Sequence, residues 1–310
     1  MFLAWVVIIS LCLISALTGA YVFVVACVRT TELPWLDKEK IQKTPFGMFY
    51  DGIVYADAWL KNHGVSDVYV KSFDGLKLHG LWIPADNAKG SVLFAHGYRS
   101  TYLADFGMAL DFYHDAGFNI LLPDQRCHGK SEGKIITFGI KESRDMKTWI
   151  QFHNETFGAV PLLLSGMSMG ASTMLYLADE RLPANVKGFL VDCGFTTPKE
   201  ILAKVFTSVT HLPAWLCLWS TGLCARIFGG FGLSEKDSRV SLTKNVMPII
   251  MVHGLGDSFV PCEMTKEAYA LCTGPKQILL VDNAEHGLSF IVDNERYMQI
   301  VRDFIKQYFS

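Results

Sequence analysis

The sequence Ser165-Gly166-Met167-Ser168-Met169-Gly170 contains a Gly-x-Ser-x-Gly motif between two segments of different character. Residues 160–164, before it, form an apolar run of a length that is typical of a buried strand. Residues 171–178, after it, are helix-forming residues without a breaker. We therefore predict a sharp strand-to-helix turn with Ser168 at its tip, because Gly166 and Gly170 lack the Cβ atoms that would clash there. Such a turn is typical of a nucleophile elbow, in which helix N–H groups lie beside the serine hydroxyl.

The composition favours a globular domain and excludes several classes of partner. The chain has 310 residues, half of them hydrophobic, and a net charge of −2. It has no basic block or stripe, so we expect no nucleic-acid partner. It has no dinucleotide- or phosphate-binding glycine pattern, no His-Glu-x-x-His and no Cys/His cluster at zinc spacing, so we expect neither a cofactor nor a metal ion. Nothing in the sequence predicts the oligomeric state.

The first segment, residues 1–28, contains no charged side chain and is apolar almost throughout. A span of roughly 20 residues crosses a bilayer, so we expect a single-pass membrane anchor. A cleaved signal peptide is the main alternative, but no Lys or Arg precedes the apolar run and the run is longer than the apolar h-region of a typical signal peptide. A buried core helix is a third alternative, and the segment is too long and too uniformly apolar for one.

The side of the membrane is indicated only by the charges that follow the anchor. Arg29, Lys38, Lys40 and Lys43 come after the span, whereas only the α-amino group precedes it. This count favours a cytoplasmic position for the rest of the chain. The eight cysteines are scattered without a C-x-x-C pair, and we interpret them as mainly reduced core or near-core residues, which agrees with a reducing compartment.

The rest of the chain is interpreted as a connector, residues 29–64, followed by one domain, residues 65–310. The connector contains an amphipathic helix at about 51–61 and is expected to pack on the domain. In the domain, Asp74-Gly75 between alternating runs predicts a hairpin. After the hairpin, apolar strands alternate with helices; the strands are predicted at 91–95, 118–122, 160–164, 186–191, 247–252 and 277–281, and the helices at 103–115, 140–155, 263–271 and 289–308. This alternation predicts an α/β fold with a mostly parallel sheet that helices cover on both faces.

The alternation is interrupted by an apolar helical insertion at about residues 196–245. An insertion at the C-terminal end of a strand lies over the face where functional groups gather in such sheets. We interpret it as a lid that lines a substrate pocket. The alternative is that its residues only pack on the sheet, and both descriptions can hold in part because a lid must bury one of its faces.

Two later strands are followed by residues that could activate Ser168. A serine hydroxyl needs a base within hydrogen-bond reach, and the base needs a carboxylate to orient it. Asp257 follows the strand at 247–252, and His286 follows the strand at 277–281. We therefore predict the triad Ser168, Asp257 and His286, with the three residues at the same edge of the sheet.

Other residues compete for the same roles. Asp192, which also follows a strand, is the best alternative acid; Asp282 and Glu285 lie too close to His286 in sequence to approach it well. We interpret His128 and His253 as structural residues that hold loop backbones. Five further histidines lie in elements or connectors without a catalytic pattern: His63, His79, His114, His153 and His211.

The negative oxygen of an acyl-transfer intermediate needs two backbone donors. We predict the N–H of Met169, which follows the nucleophile, as one donor. The N–H of Tyr98 is the second, because the loop His96-Gly97-Tyr98 follows the strand at 91–95 and Gly97 permits a close backbone approach.

Taken in chain order, these motifs resemble the α/β-hydrolase superfamily, and among its members bacterial serine hydrolases of the esterase, lipase and serine-peptidase-like type. The motifs that carry the resemblance are His96-Gly97, Asp124-x-Arg126-x-His128-Gly129-x-Ser131-x-Gly133, Gly166-x-Ser168-x-Gly170, Gly256-Asp257-x-x-Val260-Pro261 and His286-Gly287. The resemblance spans residues 65–308 and implies that the segment with Arg126 and His128 is a structural loop beside the active site. Substrate identity does not carry over, because the lid differs widely among members.

The resemblance and the residues together predict hydrolysis of a carboxylic ester through an acyl-enzyme on Ser168. The aromatic lid favours small-molecule esters with apolar acyl groups, with lipids as one candidate class. A serine peptidase or amidase on the same triad is the nearest alternative. A non-catalytic binding protein of the same fold is a more distant one, because such proteins usually lack the serine or the histidine.

Overall fold

A computed structural model describes residues 1–44 and 46–309. One residue of the predicted connector and the last residue of the predicted domain therefore lie outside the described residues. The helices are α1 (Phe2–Cys27), α2 (Lys38–Ile41), α3 (Tyr50–Lys61), α4 (Tyr102–Phe106), α5 (Leu110–Asp115), α6 (Ile140–Phe157), α7 (Met169–Leu175), α8 (Pro198–Thr210), α9 (Trp215–Cys224), α10 (Ser238–Leu242), α11 (Cys262–Leu271), α12 (Ser289–Val292) and α13 (Asn294–Tyr308). The strands are β1 (Ser66–Lys71), β2 (Lys77–Ile83), β3 (Gly90–Ala95), β4 (Phe118–Pro123), β5 (Leu162–Met167), β6 (Val186–Asp192), β7 (Ile249–Gly254) and β8 (Lys276–Val281).

The eight strands form one sheet in the order β1-β2-β4-β3-β5-β6-β7-β8. The first two strands are the predicted hairpin and pair antiparallel, as do β2 and β4. All other neighbours pair parallel, from β4 through to β8. The apolar runs that predicted buried strands are explained by helices on both faces of the sheet, which leave β3, β4, β5 and β7 entirely buried. The predicted α/β-hydrolase fold is confirmed.

The core has one apolar layer on each face of the sheet, because successive side chains of a strand point to opposite faces. On β3, Phe94 packs in the layer that also holds Phe304 from α13, whereas its neighbour Leu93 packs in the layer that holds Trp149 from α6. All four side chains are almost completely buried. Both faces of the sheet are therefore packed against helices, and the loops at its carboxyl edge start from buried strands.

Two predicted helices are each broken into two. The helix expected at 103–115 consists of α4 and α5, separated by a 3₁₀ turn, Gly107–Ala109. Gly107 lies so close to Ala56 of α3 that a Cβ added to it would be 2.5 Å from the Ala56 Cβ. The helix expected at 289–308 is interrupted at Asp293, whose carboxylate accepts a hydrogen bond from the Arg296 N–H and so caps α13. Both breaks depend on contacts that helical periodicity does not reveal.

The connector helix, α3, packs on the domain through Ile53, Ala56 and Leu60, all of which are buried. The amphipathic helix predicted at about 51–61 is therefore present, with these three residues on its buried side. The bounds at residues 28 and 64 stay predictions. The connector packs on the domain, and no observation shows that either segment folds on its own.

The first helix, α1, is long and apolar enough to cross a membrane by length and composition. Most of its side chains are exposed, and only Gly19, Phe23 and Cys27 are buried. Its last turn is attached to the domain that follows: the Ile136 N–H donates to the Cys27 carbonyl at 2.7 Å. The exposed part of α1 therefore projects from a fixed attachment point.

The insertion at residues 196–245 contains α8, α9, a short π-helical turn, Ala225–Gly229, and α10. Residues from α8 and from the segment after α9 share an apolar cluster with Met169, the residue that follows Ser168. The insertion thus packs beside the carboxyl edge of the sheet, as predicted. Its helix α9, however, lies along α1, a contact that the sequence did not indicate.

Candidate active site

Ser168 lies at the turn between β5 and α7, in a strained backbone conformation. Its φ is 53° and its ψ is −116°, values that a residue with a side chain rarely adopts. The flanking positions must be glycines because other backbone atoms approach them closely. A Cβ on Gly166 would overlap the Gly170 carbonyl, and a Cβ on Gly170 would overlap the Ala95 carbonyl of β3. The motif residues therefore form the predicted tight strand-to-helix turn, with the serine at its tip.

Ser168, His286 and Asp257 form a continuous hydrogen-bonded chain. The His286 Nε2 lies 2.9 Å from the Ser168 Oγ, and the His286 Nδ1 lies 2.7 Å from the Asp257 Oδ2. An ionised carboxylate only accepts hydrogen bonds, so the Nδ1 atom carries the proton and donates it to Asp257. The Nε2 atom is then free to accept the hydroxyl proton of Ser168. The structure brings the three predicted residues together in the order that proton transfer from the serine requires.

The Asp257 carboxylate is held by four donors. Its Oδ1 accepts hydrogen bonds from the N–H groups of Phe259 and Val260, at 2.9 and 2.8 Å. Its Oδ2 accepts from His286 and lies 3.2 Å from the His253 Nε2. Burial raises the pKa of Asp257, but the hydrogen bonds from His253 and His286 outweigh burial and hold the pKa well below its ordinary value. Asp257 is therefore ionised throughout the neutral range.

His253 contacts the carboxylate of the triad, a contact that the sequence did not indicate. We interpreted it as a residue that holds a loop backbone, and its Nε2 does lie 2.9 Å from the Val260 carbonyl. The same nitrogen also faces the Asp257 carboxylate. Because both groups accept hydrogen bonds, Nε2 carries the proton and Nδ1 accepts from the Thr265 hydroxyl at 2.7 Å. His253 thus supports the acid of the triad as well as its loop.

The competing carboxylates have other partners. Asp192, at the end of β6, is buried, and its Oδ1 accepts from the Ser289 hydroxyl at 3.2 Å. Its Oδ2 has no hydrogen-bond partner among the residues that the structure describes. Burial raises the pKa of Asp192 to about 6, because the groups around it do not offset the loss of water around its charged form. Asp192 is therefore less suited than Asp257 to orient a base. Glu285 instead accepts from the backbone and the hydroxyl of Ser258.

The two predicted oxyanion donors, the N–H groups of Tyr98 and Met169, have no acceptor within residues 1–44 and 46–309. Met169 is the first residue of α7, so its N–H has no acceptor in the helix. The loop that carries Tyr98 lies beside the nucleophile, since a Cβ added to Gly97 would be 3.4 Å from the Ser168 Cβ. Two unpaired donors near a serine hydroxyl are the arrangement that stabilises an oxyanion.

Asp105 holds the loop that carries Tyr98 by accepting hydrogen bonds from it. The sequence did not identify Asp105 as a residue of the site. Its carboxylate is in contact with two groups of the loop: the Gly97 N–H at 2.6 Å and the Ser100 hydroxyl at 2.5 Å. Burial raises the pKa of Asp105, while these two hydrogen bonds act in the opposite direction. The only signal in the sequence was an acidic residue in a short helix after the loop, which is too common a feature to attract attention.

Histidines hold the same loop from the other side. The His128 Nε2 accepts the Arg99 N–H at 3.0 Å, and burial lowers the pKa of His128 to about 3, so its ring is neutral. The His96 Nε2 accepts the Gln125 N–H at 3.0 Å, and its Nδ1 lies 2.9 Å from the Gly97 carbonyl. His96 and His128 thus link the loop after β3 to the loop after β4.

The loop after β4 is itself anchored by Arg126. Its guanidinium forms two hydrogen bonds with Asp145, at 2.6 and 2.7 Å, and two with Asp74, at 3.0 and 3.1 Å. Arg126 and Asp145 are both buried. Their two parallel hydrogen bonds fix the orientation of the guanidinium and so the position of the loop that carries it. This is the structural loop that the motif resemblance implied.

Comparisons with known proteins agree with this geometry. A family model described as serine aminopeptidase, S33, matches residues 86–223. An esterase from Pyrococcus furiosus superposes with a TM-score of 0.66 and 24% sequence identity, covering 80% of this chain and 93% of that chain. The chain has the α/β-hydrolase fold.

Two relatives of this chain are similar over most of their length. The uncharacterized protein YqkD of Bacillus subtilis is 25% identical over 237 residues, which are 76% of this chain and 77% of that protein. An uncharacterized membrane protein of Saccharomyces cerevisiae, YNL320W, is 24% identical over 238 residues, which are 75% of this chain and 76% of that protein.

The triad is only partly open to solvent. Ser168 is buried, whereas a quarter of the His286 side chain is exposed. The exposed ring of Phe259 lies beside the His286 ring, with centroids 5.1 Å apart. Phe138, Phe195 and Val260 pack with Met169 in a buried apolar cluster. A substrate would therefore reach Ser168 past His286 and Phe259.

Three side chains of the site could in principle hold a metal ion. Ligand atoms of Cys193, Asp257 and His286 lie within 4.8 Å of one another. Burial raises the pKa of the Cys193 thiol well above its ordinary value, so it is not the thiolate that a metal needs. Asp257 and His286 are also hydrogen-bonded to each other. This donor set suits proton transfer better than metal binding.

Proposed function

We propose that the protein is a serine hydrolase that cleaves carboxylic esters with apolar acyl groups through an acyl-enzyme on Ser168. The observation that carries the proposal is the hydrogen-bonded chain from Ser168 through His286 to Asp257, next to two unpaired backbone donors. The similar Pyrococcus furiosus structure is that of an esterase. The exposed aromatic ring of Phe259 beside His286 supports an apolar acyl group.

In the first step of the proposed reaction, the Nε2 atom of His286 takes the proton of the Ser168 hydroxyl. The Ser168 oxygen attacks the ester carbonyl, and the carbonyl oxygen becomes an oxyanion between the N–H groups of Tyr98 and Met169. His286 then gives its proton to the departing alcohol, and the C–O bond to that alcohol breaks. Asp257 keeps the imidazole in the correct tautomer and stabilises its charged form.

In the second step, a water molecule attacks the acyl-enzyme. His286 takes a proton from this water and returns it to the Ser168 oxygen as the acyl bond breaks, which releases the carboxylic acid and restores the serine. The same two N–H groups stabilise the second oxyanion. The proton transfers between Ser168 and His286 use the Ser168 Oγ and the His286 Nε2, which lie 2.9 Å apart in the structure.

A serine peptidase or amidase is the second candidate, because the matching family model is described as serine aminopeptidase. An aminopeptidase needs a carboxylate to hold the substrate's charged amine. The carboxylates of the insertion are all engaged by arginines: Glu200 and Asp237 bind Arg239, and Glu235 binds Arg144. None of them is left to receive an amine, which favours the esterase.

We further propose that α1 is retained as a membrane anchor, with the catalytic domain on the cytoplasmic side as the charge distribution predicts. The supporting observations are the length and apolar character of α1 and the description of the yeast relative as a membrane protein. A cleaved signal sequence would leave the mature protein without α1, and an intact mass measurement on the membrane fraction distinguishes the two.

The proposed activity is tested by measuring hydrolysis of p-nitrophenyl acetate, butyrate, octanoate and dodecanoate by the detergent-solubilised full chain. Aminoacyl p-nitroanilides serve as the peptidase substrates, and the Ser168→Ala variant serves as the background. We expect kcat/KM to rise from acetate to octanoate, with no anilide cleavage. Cleavage of acetate alone would contradict the apolar preference, and faster cleavage of the anilides would replace the esterase with the peptidase.

A further inference from the structure

We propose that the hairpin formed by the end of α8 and by α9, residues 205–225, inserts into the same bilayer as α1. This hairpin, hereafter the α8–α9 hairpin, would make the insertion over the active site a membrane-embedded element rather than a lid in water. The inference depends on α1 being a membrane anchor, as proposed above, but it does not depend on the reaction at Ser168.

The first observation is the composition of the α8–α9 hairpin. Its 21 residues contain no Asp, Glu, Lys or Arg, and α9 reads Trp-Leu-Cys-Leu-Trp-Ser-Thr-Gly-Leu-Cys. A segment that lacked a membrane contact would normally carry charges on its outer face. Arg226, immediately after the hairpin, has a long apolar stem that allows its guanidinium to reach the lipid headgroups.

The second observation is a stripe of exposed apolar side chains on this hairpin. Trp215, Trp219 and Leu223 are spaced by four residues and so lie on one face of α9, and their exposed fractions are 72%, 55% and 50%. The stripe continues into Ile227 and is joined at the tip of the hairpin by Leu212, both of which are exposed. A contiguous apolar surface of this kind marks a contact with protein or lipid.

The third observation identifies lipid as the occupant, because the stripe is continuous with the exposed surface of α1. The two helices are in direct contact: the Ser220 hydroxyl donates to the Ser15 carbonyl at 2.9 Å, and the Thr221 hydroxyl donates to the Gly19 carbonyl at 3.1 Å. The Trp219 indole N–H donates to the Ser15 hydroxyl at 2.7 Å. The polar groups of α9 thus face α1, and its apolar groups face outward with those of α1.

This packing has the character of a contact between helices in a membrane. Helices in lipid associate through small residues and through hydrogen bonds from Ser and Thr, since apolar surface alone gives no driving force there. Gly19 is such a residue, because a Cβ on it would overlap the Ser220 hydroxyl. Hydroxyl groups that donate to backbone carbonyls also avoid unsatisfied donors in hydrocarbon.

The position of the contact along α1 places it at membrane depth. The end of α1 is buried in the catalytic domain at Phe23 and Cys27. At a rise of about 1.5 Å per residue, Ser15 lies about 18 Å before Cys27 along the helix axis. A crossing of about 20 residues that begins near the N-terminus of α1 includes both Ser15 and Gly19. The part of α9 that binds these residues must therefore lie in the hydrocarbon too.

The hairpin is inclined so that its tip lies deepest. Phe228, in the π-helical turn after α9, packs near Phe23 of α1 with tilted rings whose centroids are 6.1 Å apart. The start of α9 lies beside Ser15 instead, because the Ser15 hydroxyl donates a hydrogen bond to the Leu216 carbonyl. The start of α9 is therefore farther from the catalytic domain than its end. His211, at the tip, is the most polar side chain that this arrangement takes into the bilayer.

The depth of the hairpin can be measured with nitroxide labels on the full chain in phosphatidylcholine vesicles. Cys12→Ala and Cys224→Ala remove the more accessible native thiols, and single cysteines are then placed at exposed positions: Trp215→Cys and Ile227→Cys in the hairpin region, Leu13→Cys in α1, and Val246→Cys at the opposite end of the sheet as the aqueous control. Collision rates with dioxygen, which concentrates in lipid, are compared with those of a water-soluble nickel chelate. A circular-dichroism spectrum and a cooperative unfolding transition like those of the unlabelled protein check that each variant is folded.

We expect dioxygen collisions to dominate at positions 13, 215 and 227, and nickel collisions to dominate at position 246. The depth calculated from the two collision rates should be greater at position 215 than at position 227. A water-like result at 215 with a lipid-like result at 13 would overturn the inference while α1 remained an anchor. Protection of 215 from both reagents would also overturn it, because the stripe would then be covered by protein, such as a second copy of the chain. A water-like result at 13 would remove the anchor itself and the inference with it, whereas the esterase activity of the same samples would be judged separately.

Discussion

The backbone N–H of Gly97 donates a 2.6 Å hydrogen bond to the Asp105 carboxylate, and this contact sets the position of the loop that carries the Tyr98 donor. Asp105 lies in α4, which follows the loop, so a side chain from the next element fixes the backbone of the loop before it. Its second oxygen accepts the Ser100 hydroxyl. We therefore describe Asp105 as a positioning residue of the active site.

Replacement of Asp105 by Ala should lower kcat with little change in KM. The Gly97 N–H loses its buried acceptor, so the Tyr98 donor is no longer held beside the position of the oxyanion. The loss of one oxyanion donor costs about 10²–10³ in kcat, and a displaced donor should approach the lower figure. Steady-state kinetics with p-nitrophenyl octanoate measure the effect. Ser100→Ala, which removes only the hydroxyl contact, is the control, and an unchanged kcat in folded Asp105→Ala would show that the loop is fixed by other contacts.

Replacement of Asp257 by Asn should be far more damaging than replacement of Asp192 by Asn. The amide at 257 would favour the wrong tautomer of His286, which costs about 10⁴-fold in kcat for a serine triad. Asp192 contacts Ser289 and does not contact the His286 ring, so its variant should keep kcat within about tenfold. The two variants are compared in the same ester assay. The reverse ranking would make Asp192 the acid of the triad.

Asp192 should also make the stability of the protein depend on pH in an unusual direction. Burial raises its pKa from the ordinary value to about 6, so between about pH 4 and pH 6 the folded state holds a proton that the unfolded state has released. Stability therefore falls as pH rises through this range, by up to about 3 kcal/mol for a shift of about two units. Below this range both states are protonated, and above it both are ionised.

The comparison of wild type with Asp192→Asn isolates this contribution, because the variant has no proton to lose. Denaturant unfolding in detergent at a series of pH values should show the variant gaining stability relative to wild type from pH 4 to pH 7. A difference between the two proteins that does not change with pH would mean that Asp192 ionises in the folded state as easily as it does in water.

Gly170→Ala should destabilise the protein severely, whereas Gly64→Ala should not. A Cβ at position 170 would overlap the Ala95 carbonyl, which belongs to the central strand β3 and cannot move. We expect a loss of at least about 3 kcal/mol. No atom lies within 4 Å of the corresponding position at Gly64, where Ala should be neutral or stabilise by about 0.5 kcal/mol. Thermal unfolding measures both, and a stable Gly170→Ala protein would contradict the tight turn.

The sequence was sufficient to predict the α/β-hydrolase fold and the group of residues that meet at the carboxyl edge of its sheet. Alternation of apolar strands with helices indicated the parallel sheet, and Ser168, Asp257 and His286 were each predicted to follow a strand, which the structure shows to be β5, β7 and β8. These inferences succeed because the carboxyl ends of parallel strands lie at one edge regardless of how the helices pack. Their catalytic roles stay predictions until they are measured.

The sequence did not reveal Asp105, the contact of His253 with Asp257, or the break of a helix at Gly107. Each depends on which elements touch in three dimensions. The packing of α9 on α1 is the strongest case, because its partners Ser220 and Ser15 are more than two hundred residues apart. Amphipathic periodicity shows that a helix has an apolar face but not which surface covers that face.

The central claim is that Ser168 is an activated nucleophile, and covalent labelling tests it most directly. Detergent-solubilised full chain is treated with a fluorophosphonate, and the adduct is located by intact mass and peptide analysis. Ser258→Ala, which removes an exposed serine from the Asp257 loop, is the matched control for Ser168→Ala. We predict one adduct on wild type and on Ser258→Ala, located at Ser168, and none on Ser168→Ala. A folded wild type that is not labelled, or labelling that persists in Ser168→Ala, would contradict the account.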